Sequence, residues 1–363
     1  MRILHLYRPR LPGTRAQAIQ VVNACHALAR LGHRVTLLAD RAGGSPREAL
    51  AGLGLEPVEG LDLRLAPTTY APAAGWWFRA QALAWWAGAP GVVIARDKRR
   101  LRWLLRTTGG GRHRVVLETH ELDSALATER GEDPARALAL ERWILERVDG
   151  LIANCGGTMR MWEEAHGAAM PADRVVAHNA IAPERRRGPR PPEAVIRVVG
   201  SLRAYKGVAA LAQAAGQLPL PVELVGGTPE EQAALGPVPA NVRLRPPVPY
   251  TQVPDLLSRS AVLLLPLADN VFGRHLTSPL KLWDYLGTSV PIVAPDLPSV
   301  AEIAARTGAP IHTFAPSDPH SLVGAVQAAL SAPPRAPCVR SWADRARETL
   351  PVLLGQPPGA GPG

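Results

Sequence analysis

The densest group of residues able to do chemistry lies between positions 270 and 291. It follows an apolar segment predicted to be a strand, and it opens a predicted helix with Ser278 as N-cap and Pro279 at the first helical position. The backbone N–H groups of Leu280 and Lys281 would then point out of the helix start. Such a pattern favours an anion site built from backbone dipoles.

A carboxylate follows one turn further along the same predicted helix. Asp284 would repel a phosphate, but it could accept hydrogen bonds from the hydroxyls of a sugar. Asn270, Arg274 and Thr277 add polar groups just before the helix. The segment is equally compatible with a well-capped helix that carries a surface aspartate and no ligand, and these residues alone leave both interpretations open.

A second strand end with basic side chains is found at Gly200-Ser-Leu-Arg-Ala-Tyr-Lys-Gly207. Gly200 would allow a turn or the close approach of a ligand. Arg203 and Lys206 project from the predicted loop, and together with a helix start in the same domain they would form a clamp for a diphosphate. In isolation, the segment is more typical of a solvated loop with two surface charges.

Alternating strands and helices are predicted to position these residues. Arg2–Tyr7 is a short apolar strand and Arg34–Asp40 is a second one, with an amphipathic helix between them that ends at Gly32. The apolar face of this helix would carry Ala18, Val21, Val22, Cys25, Leu28 and Ala29. This pattern predicts the opening βαβ unit of a parallel sheet, continued by strands at 91–95, 114–118 and 150–153.

A Pro/Arg-rich stretch then interrupts the pattern, and the alternation restarts after it. Six strands are predicted at 196–200, 222–226, 242–246, 262–266, 291–295 and 310–314. Helices are predicted at 207–217, 229–235, 251–259, 278–287, 298–306, 318–330 and 342–354. The chain therefore divides into an N-terminal Rossmann-like domain (1–182), a linker (183–194), a C-terminal Rossmann-like domain (195–335), and an end (336–363) whose helix could pack back on the N-terminal domain. Two such domains would place a ligand cleft at the carboxyl ends of their strands.

Composition narrows the class of protein. The 363 residues carry 41 basic and 31 acidic side chains, a net charge of +10 that favours anionic partners. Lys98, Lys206 and Lys281 are the three lysines, so much of the charge reflects a general preference for arginine. Three separated cysteines indicate neither a disulfide framework nor a cysteine-based zinc site. With no signal-peptide pattern and no membrane-length apolar run, we expect a cytoplasmic protein, at most peripheral at the inner face of the membrane.

The motifs at 200–207 and 278–294 resemble those of a known family. Gly-x-Leu-x-x-x-Lys-Gly, Pro-Leu in the strand before the next loop, and Ser-Pro-Leu-Lys-Leu-Trp-Asp-Tyr-Leu-Gly-x-x-x-Pro-Ile-Val-Ala are similar to the C-terminal domain of retaining glycosyltransferases, specifically glycosyltransferase family 4 (group 1). Glu118-Thr-His120 and Arg174–Ile181, with its Asn179, fit more loosely. The resemblance spans residues 1–330 and implies the α/β GT-B fold, two facing Rossmann-like domains with a deep interdomain cleft.

The resemblance also implies roles for individual residues. Lys206 and Arg203 would bind the diphosphate of a UDP- or GDP-linked sugar, with the amides of residues 278–281 on the same phosphates. Asp284 would hold the ribose hydroxyls, and the nucleobase would lie beside Pro247–Val248.

On the N-terminal side, His120 would meet the transferred sugar. The Gly13–Thr14 loop would approach the phosphates or the acceptor from the opposite side.

Two positions depart from the family pattern. Ser201 stands where a basic residue often follows the glycine, so that Arg203 or Arg274 would substitute for it. The family's Glu-x7-Glu is here Leu276 followed by Asp284, which affects sugar specificity and the reach to the ribose.

The implied reaction needs no cofactor. Metal-dependent transferases commonly use Asp-x-Asp, and the sequence has no such motif, so we expect metal-free transfer of a hexose led by Lys206. The family implies retention by same-face attack, with the leaving phosphate helping to deprotonate a glycan or lipid-linked acceptor, as in cell-envelope polysaccharide assembly.

Other interpretations stay open. The chain could be a nucleotide-sugar epimerase, or a degenerate, non-catalytic GT-B protein that binds a nucleotide as a partner subunit. Nucleic-acid binding rests on charge alone and is not expected. Glu118, His120, Glu121 and Asp123 are consecutive on a turn and cannot all face one ion, so no metal site is predicted.

A tryptophan- and arginine-rich region between positions 76 and 106 has two interpretations. Its aromatic side chains could contact an anionic membrane, or they could pack in the core while the arginines stay solvated; we favour the core. The residues concerned are Trp76, Trp77, Trp85, Trp86 and Trp103, with Arg79, Lys98, Arg99, Arg100, Arg102 and Arg106.

Overall fold

The computed structural model describes residues 1–13, 15–203 and 207–356. The chain forms two compact units. The first contains Met1–Asn179 together with the chain from Ser341 onward, and the second contains Ala180–Arg340.

The first unit is built on a parallel sheet with helices between successive strands. The strand order is β2-β3-β1-β5-β6-β7-β8, with β4 paired to β3. The strands are β1 (Arg2–Leu6), β2 (Arg10–Leu11), β3 (Arg34–Arg41), β4 (Leu61–Leu65), β5 (Val92–Ala95), β6 (Arg114–Thr119), β7 (Gly150–Ala153) and β8 (Asp173–Val176). The helices are α1 (Ala16–Arg30), α2 (Pro46–Ala51), α3 (Ala71–Ala87), α4 (Lys98–Thr108), α5 (Asp123–Glu129), α6 (Ala135–Leu145) and α7 (Gly156–His166).

The second unit repeats this architecture with a smaller parallel sheet of order β11-β10-β9-β12-β13-β14. Its strands are β9 (Ile196–Val199), β10 (Val222–Val225), β11 (Val242–Arg245), β12 (Val262–Leu264), β13 (Ile292–Pro295) and β14 (His312–Phe314). Its helices are α8 (Val208–Ala214), α9 (Pro229–Ala233), α10 (Val253–Ser258), α11 (Val271–His275), α12 (Leu280–Leu286), α13 (Pro298–Thr307) and α14 (Pro319–Ser331). Side chains alternate between two cores: Ile196 and Val198 pack on one face of the sheet, and Val199 packs on the other.

The last helix, α15 (Trp342–Leu354), packs in the first unit against α1 and strands β6 to β8. It covers a face of α1, so that every residue from Ala18 to Ala29 is buried. The predicted apolar face of α1 is therefore part of a helix that is buried on all sides. The sequence of α1 alone gives no sign of this second contact.

The alternation predicted for both halves is confirmed, and every predicted strand is present within two residues of its expected ends. Strands β2, β4 and β8 and helix α11 were not predicted, and β2 is only two residues long. Strand β8 contains two charged residues in four, and α11 is five residues long with an internal glycine, so neither carries a clear pattern. Strand β4, Leu-Asp-Leu-Arg-Leu, does alternate and could have been predicted.

Candidate active site

In the second unit, the loop after β9 meets the start of α12. Gly200 has a φ of 117°, and a Cβ built on it would lie 2.7 Å from Cε of Lys281. The Nζ of Lys281 donates to the carbonyl oxygen of Ser201 at 3.0 Å. A side chain at position 200 would strain the backbone at this φ and would displace the lysine stem. The two segments that the sequence singles out therefore lie against each other.

The start of α12 differs from the prediction. Pro279, not Ser278, is the N-cap residue, and the helix begins at Leu280. The Ser278 hydroxyl instead accepts a hydrogen bond of 2.8 Å from Nε1 of Trp283. Trp283 is fully buried, and a buried indole N–H needs an acceptor, which the Ser278 hydroxyl supplies. Thr277, directly before it, is also buried.

Asp284 is held by an arginine that the sequence pattern places in the linker. Nε and Nη2 of Arg185 donate to Oδ1 of Asp284 at 3.2 and 3.0 Å, and the guanidinium lies 3.6 Å from the ring centroid of Tyr250. Burial lowers the pKa of Arg185, but Asp284 outweighs it, so that the pKa is raised. Burial of the Tyr250 hydroxyl, and then the negative charge of Asp284, raise the pKa of Tyr250. Sequence reasoning missed Arg185 because its neighbours are prolines and arginines typical of a linker.

The other predicted residues of this unit have structural partners. Arg203 pairs with Glu231 at 3.2 Å, and Arg274 is exposed and pairs with Asp269. Oδ1 of Asn270 accepts from the N–H of Gly273 at 2.7 Å and caps α11.

Two further positions bear on the family pattern. Val248 is partly buried against the core that contains α12, and Leu276 is fully buried. Lys206 and Thr14, both predicted site residues, lie outside the described residues.

In the first unit, His120 belongs to a buried network centred on Glu118 at the end of β6. Oε1 of Glu118 accepts from His120 Nε2 at 3.0 Å, Gln20 Nε2 at 2.6 Å and Arg345 Nη2 at 2.6 Å. His5 Nε2 lies 3.4 Å from Oε2 of the same carboxylate. Arg345 lies in α15, Gln20 in α1 and His5 in β1. Glu118 therefore connects elements that are far apart in the sequence.

The electrostatics of this network keep His120 neutral. Burial, then the charge of Arg96, lower the pKa of His120 to about 4, although Glu118 opposes them. Burial raises the pKa of Glu118, but Arg345 and the two histidines outweigh it and hold that pKa well below its usual range. At neutral pH the site therefore contains an ionised Glu118 and an uncharged imidazole.

His120 also lines a cavity of about 690 Å³ within the first unit. Tyr7, Arg96 and Arg102 contribute to its walls. Gly13 follows β2 and is not among the lining residues; a Cβ there would lie 2.7 Å from the carbonyl oxygen of Arg10, so this glycine serves a tight turn. Arg96 directly follows β5, and this place at a strand's carboxyl end is the signal that could have singled it out.

Two sequence models of protein families match the chain. The one described as Glycosyltransferase Family 4 matches residues 17–185, and the one described as Glycosyl transferases group 1 matches residues 193–332. The chain is a glycosyltransferase of the family 4 and group 1 type, as the motifs of its second half predict. No match was found among curated protein sequences.

Solved structures confirm the GT-B fold. Sucrose-phosphate synthase from Thermosynechococcus elongatus superposes with a TM-score of 0.68 at 16% identity, covering 97% of this chain and 94% of its own. Anabaena HepE, solved with UDP and glucose, superposes with a TM-score of 0.65 at 14% identity, covering 98% of this chain and 95% of its own. WaaG, a glycosyltransferase involved in lipopolysaccharide biosynthesis, superposes with a TM-score of 0.63 at 16% identity, covering 96% of this chain and 95% of its own. At these identities the likeness establishes the fold.

The tryptophan-rich region divides between core and surface. Trp85 and Trp86 are buried, as the favoured interpretation predicts, whereas Trp76 is 70% exposed with Arg79 beside its ring. None of the described helices is long and apolar enough to cross a membrane. In the described ranges, no three His, Cys, Asp or Glu side chains are grouped as metal ligands would be.

Proposed function

We propose that this glycosyltransferase moves a sugar from a UDP- or GDP-linked donor to a glycan or lipid-linked acceptor, with retention and without a metal ion. The observation that carries the proposal is the contact between Gly200 and Lys281, which joins the two motif segments of the second unit. Support comes from HepE, a neighbour of the same fold that was solved with UDP and glucose.

The donor's diphosphate would be held by cations and backbone amides of the second unit. Negative charge grows on the leaving diphosphate as the sugar–phosphate bond breaks, and fixed positive groups stabilise that state. Arg203 and Lys206 belong to the first motif segment and Lys281 to the second, and the pairing of Arg203 with Glu231 orients its guanidinium. Removing one such donor in an enzyme typically costs about 3 kcal/mol of transition-state stabilisation.

Asp284 is suited to bind the ribose. All hydrogen bonds that the described residues make to its carboxylate go to Oδ1, which leaves Oδ2 to accept from a hydroxyl. Arg185 compensates the carboxylate charge, so that Asp284 repels the neighbouring diphosphate less. Asp284 has a shorter side chain than the glutamate typical of the family, and its hydrogen bonds with Arg185 fix the orientation of its carboxylate.

His120 would contact the transferred sugar as a neutral group. Its Nε2 is engaged by Glu118, which leaves Nδ1 for a sugar hydroxyl. In the proposed reaction, the bond between the anomeric carbon and the phosphate oxygen breaks, and the acceptor oxygen attacks from the same face. The acceptor's proton passes to the leaving phosphate.

The test is turnover of a panel of UDP- and GDP-sugars by the full chain, with and without EDTA, using water as the acceptor. Proton NMR of the first released sugar, read before mutarotation, is expected to show the anomeric configuration of the donor, and EDTA is expected to have no effect. An inverted anomer or a requirement for metal would contradict the mechanism. A donor returned with an altered sugar would favour the epimerase, and binding without turnover would favour the non-catalytic protein.

Contact with a membrane stays a prediction. The exposed Trp76 with its neighbouring Arg79 is the feature that supports it. Sedimentation with anionic vesicles at low salt is expected to bring down the wild type more than Trp76→Ser. Equal behaviour of the two proteins would count against this contact.

A further inference from the structure

The cavity of the first unit lies at the carboxyl ends of β5 and β6, where parallel α/β sheets bind ligands. Its volume of about 690 Å³ is in the range of small-molecule sites. Arg96 and His120, which follow the two strands, both line it.

Of the five acidic side chains of this cavity, three form ion pairs, and Glu121 and Asp133 form none with the residues that the structure describes. Asp133 accepts from the N–H of Ala135 at 3.0 Å, and Glu121 is exposed to solvent. The ion pairs are Asp97 with Arg100, Asp123 with Lys98 at 3.1 Å, and Glu132 with Arg130 at 2.7 Å.

The arginines of the cavity are different. Arg99, Arg102 and Arg136 line it and make no ion pair with any residue that the structure describes. The uncompensated charge in the cavity is therefore positive, so its electrostatics favour an anion.

Arg96 is the best placed of the cavity's arginines, because it is half-buried and directly follows β5. Its Nη1 donates to Oε1 of Gln20 at 2.7 Å, and its guanidinium lies 5.2 Å from the ring centroid of Tyr7. Within the described part of the chain no carboxylate forms an ion pair with it, although the charges of Glu118 and Glu121 act on it from further away. A guanidinium has five N–H donors, and the Gln20 side chain accepts from one nitrogen of Arg96.

The buried arginines of this chain show how it usually satisfies a guanidinium. Arg197 pairs with Glu193 and Glu223, and Arg345 pairs with Glu118. Arg335 has no such ion pair, but it donates to the carbonyl oxygens of Val290, Leu286, Ala336 and Tyr285. Arg96, with one hydrogen bond, departs from this pattern beside an open cavity.

We propose that the cavity binds an acceptor sugar that carries a phosphate or carboxylate group, and that Arg96 holds this anionic group. Arg99, Arg102 and Arg136 add positive charge at the walls and guide the anion inward. The inference rests on the proposed glycosyl transfer, since that reaction makes the occupant an acceptor.

The test is calorimetric titration of the full chain, saturated with UDP, with three probes. Glucose 6-phosphate carries a phosphate, glucuronate carries a carboxylate, and methyl glucoside is uncharged. At least one charged probe is expected to bind about tenfold more tightly than methyl glucoside, and the tighter of the two identifies the anion. Arg96→Gln is expected to weaken its binding about tenfold, as loss of a charge-assisted hydrogen bond does.

Matched variants separate binding from folding. Arg64→Gln removes an exposed arginine of the same unit outside the cavity and is expected to leave probe binding unchanged. Arg96→Lys keeps the charge and is expected to lose less affinity than Arg96→Gln, which a general folding defect would not produce.

Three outcomes would overturn the inference. They are equal binding of charged and uncharged probes, no effect of Arg96→Gln, or loss of the charged probe's binding when UDP is present, which would place the anion in the donor site. Titration with UDP alone tests the proposed donor site separately, so failure of that function and failure of this inference are distinguishable.

Discussion

At the scale of single residues, the candidate donor site depends on one close backbone approach. Gly200 combines a positive φ with contact to the stem of Lys281, and either feature alone would disfavour a side chain there. The sequence pattern suggested close approach of a ligand at this glycine. In the structure, the group that approaches is a lysine of the same site.

We expect Gly200→Ala to weaken UDP binding about tenfold and to destabilise the second unit by about 1–3 kcal/mol, because the new Cβ strains the backbone and displaces Lys281. Gly324→Ala is the control: it lies in α14, and its Cβ would meet nothing within 4 Å. Calorimetric titration with UDP and a thermal melt measure the two effects. Unchanged UDP affinity in Gly200→Ala would show that the position of Lys281 is unimportant for the donor.

The low pKa of His120 predicts a pH dependence of stability. The imidazole titrates near its ordinary value of 6.5 in the unfolded chain, but only near 4 in the folded one. The unfolded state therefore binds the extra proton between these values, and stability falls as the pH falls from about 6.5 towards 4. From pH 7 to pH 5 this group alone should cost about 2 kcal/mol.

His120→Asn removes this titration while keeping a side chain that can donate to Glu118. We expect the variant to lose about 2 kcal/mol less than the wild type between pH 7 and pH 5. Urea unfolding followed by tryptophan fluorescence reports on the first unit, because Trp283 is the only one of the nine tryptophans in the second. Parallel losses in both proteins would contradict the neutral, buried histidine.

At the scale of elements, the Tyr285 hydroxyl links α12 to the sheet of the second unit through two hydrogen bonds. The Tyr285 OH accepts from the N–H of Val199 at 3.1 Å and donates to the carbonyl oxygen of Leu264 at 3.3 Å. These two residues end β9 and β12, so the tyrosine fixes the helix that carries Lys281 and Asp284 against the strand ends.

We expect Tyr285→Phe to destabilise the second unit by about 1–3 kcal/mol, since it leaves a buried N–H without an acceptor. Tyr70→Phe, at a tyrosine that is 66% exposed, is the control and should have little effect. Differential scanning calorimetry measures both. A Tyr285→Phe protein as stable as the wild type would mean that water or another group satisfies Val199.

Periodicity predicted the regular elements of both units well, because strands such as β9 and β12 are short apolar runs bounded by turn residues. It misplaced the cap of α12, since Ser278 satisfies both the sequence rule for an N-cap and the need of Trp283 for an acceptor. Which of these two demands prevails depends on tertiary packing that the local sequence does not encode.

At the scale of the whole chain, α15 returns to the first unit and completes its buried network. The sequence pattern of 342–354 predicts a helix, and packing of this helix on the N-terminal domain was one possibility. The pattern does not show which elements the helix packs against. Arg345 reaches Glu118 across more than 200 positions of the sequence. Such a pair, like that of Arg185 with Asp284, becomes visible only in the folded chain, because neither residue has a distinctive local motif.

We expect Arg345→Met to destabilise the first unit by about 3–5 kcal/mol, because it leaves the buried charge of Glu118 without its arginine. Arg347→Met removes an exposed arginine two residues away on α15, and it should change stability by about 1 kcal/mol or less. Urea unfolding followed by tryptophan fluorescence compares the two. Equal midpoints would show that α15 does not support Glu118.

We expect the second unit to hold a nucleoside diphosphate without a metal ion. Isothermal titration of the full chain with UDP and GDP, with and without EDTA, tests it most directly when Lys206→Ala and the control Arg64→Ala are titrated in parallel. We predict that one nucleotide binds, that EDTA changes nothing, and that Lys206→Ala alone weakens binding about tenfold or more. Absence of binding by either nucleotide, or binding that Lys206→Ala leaves intact, would contradict it.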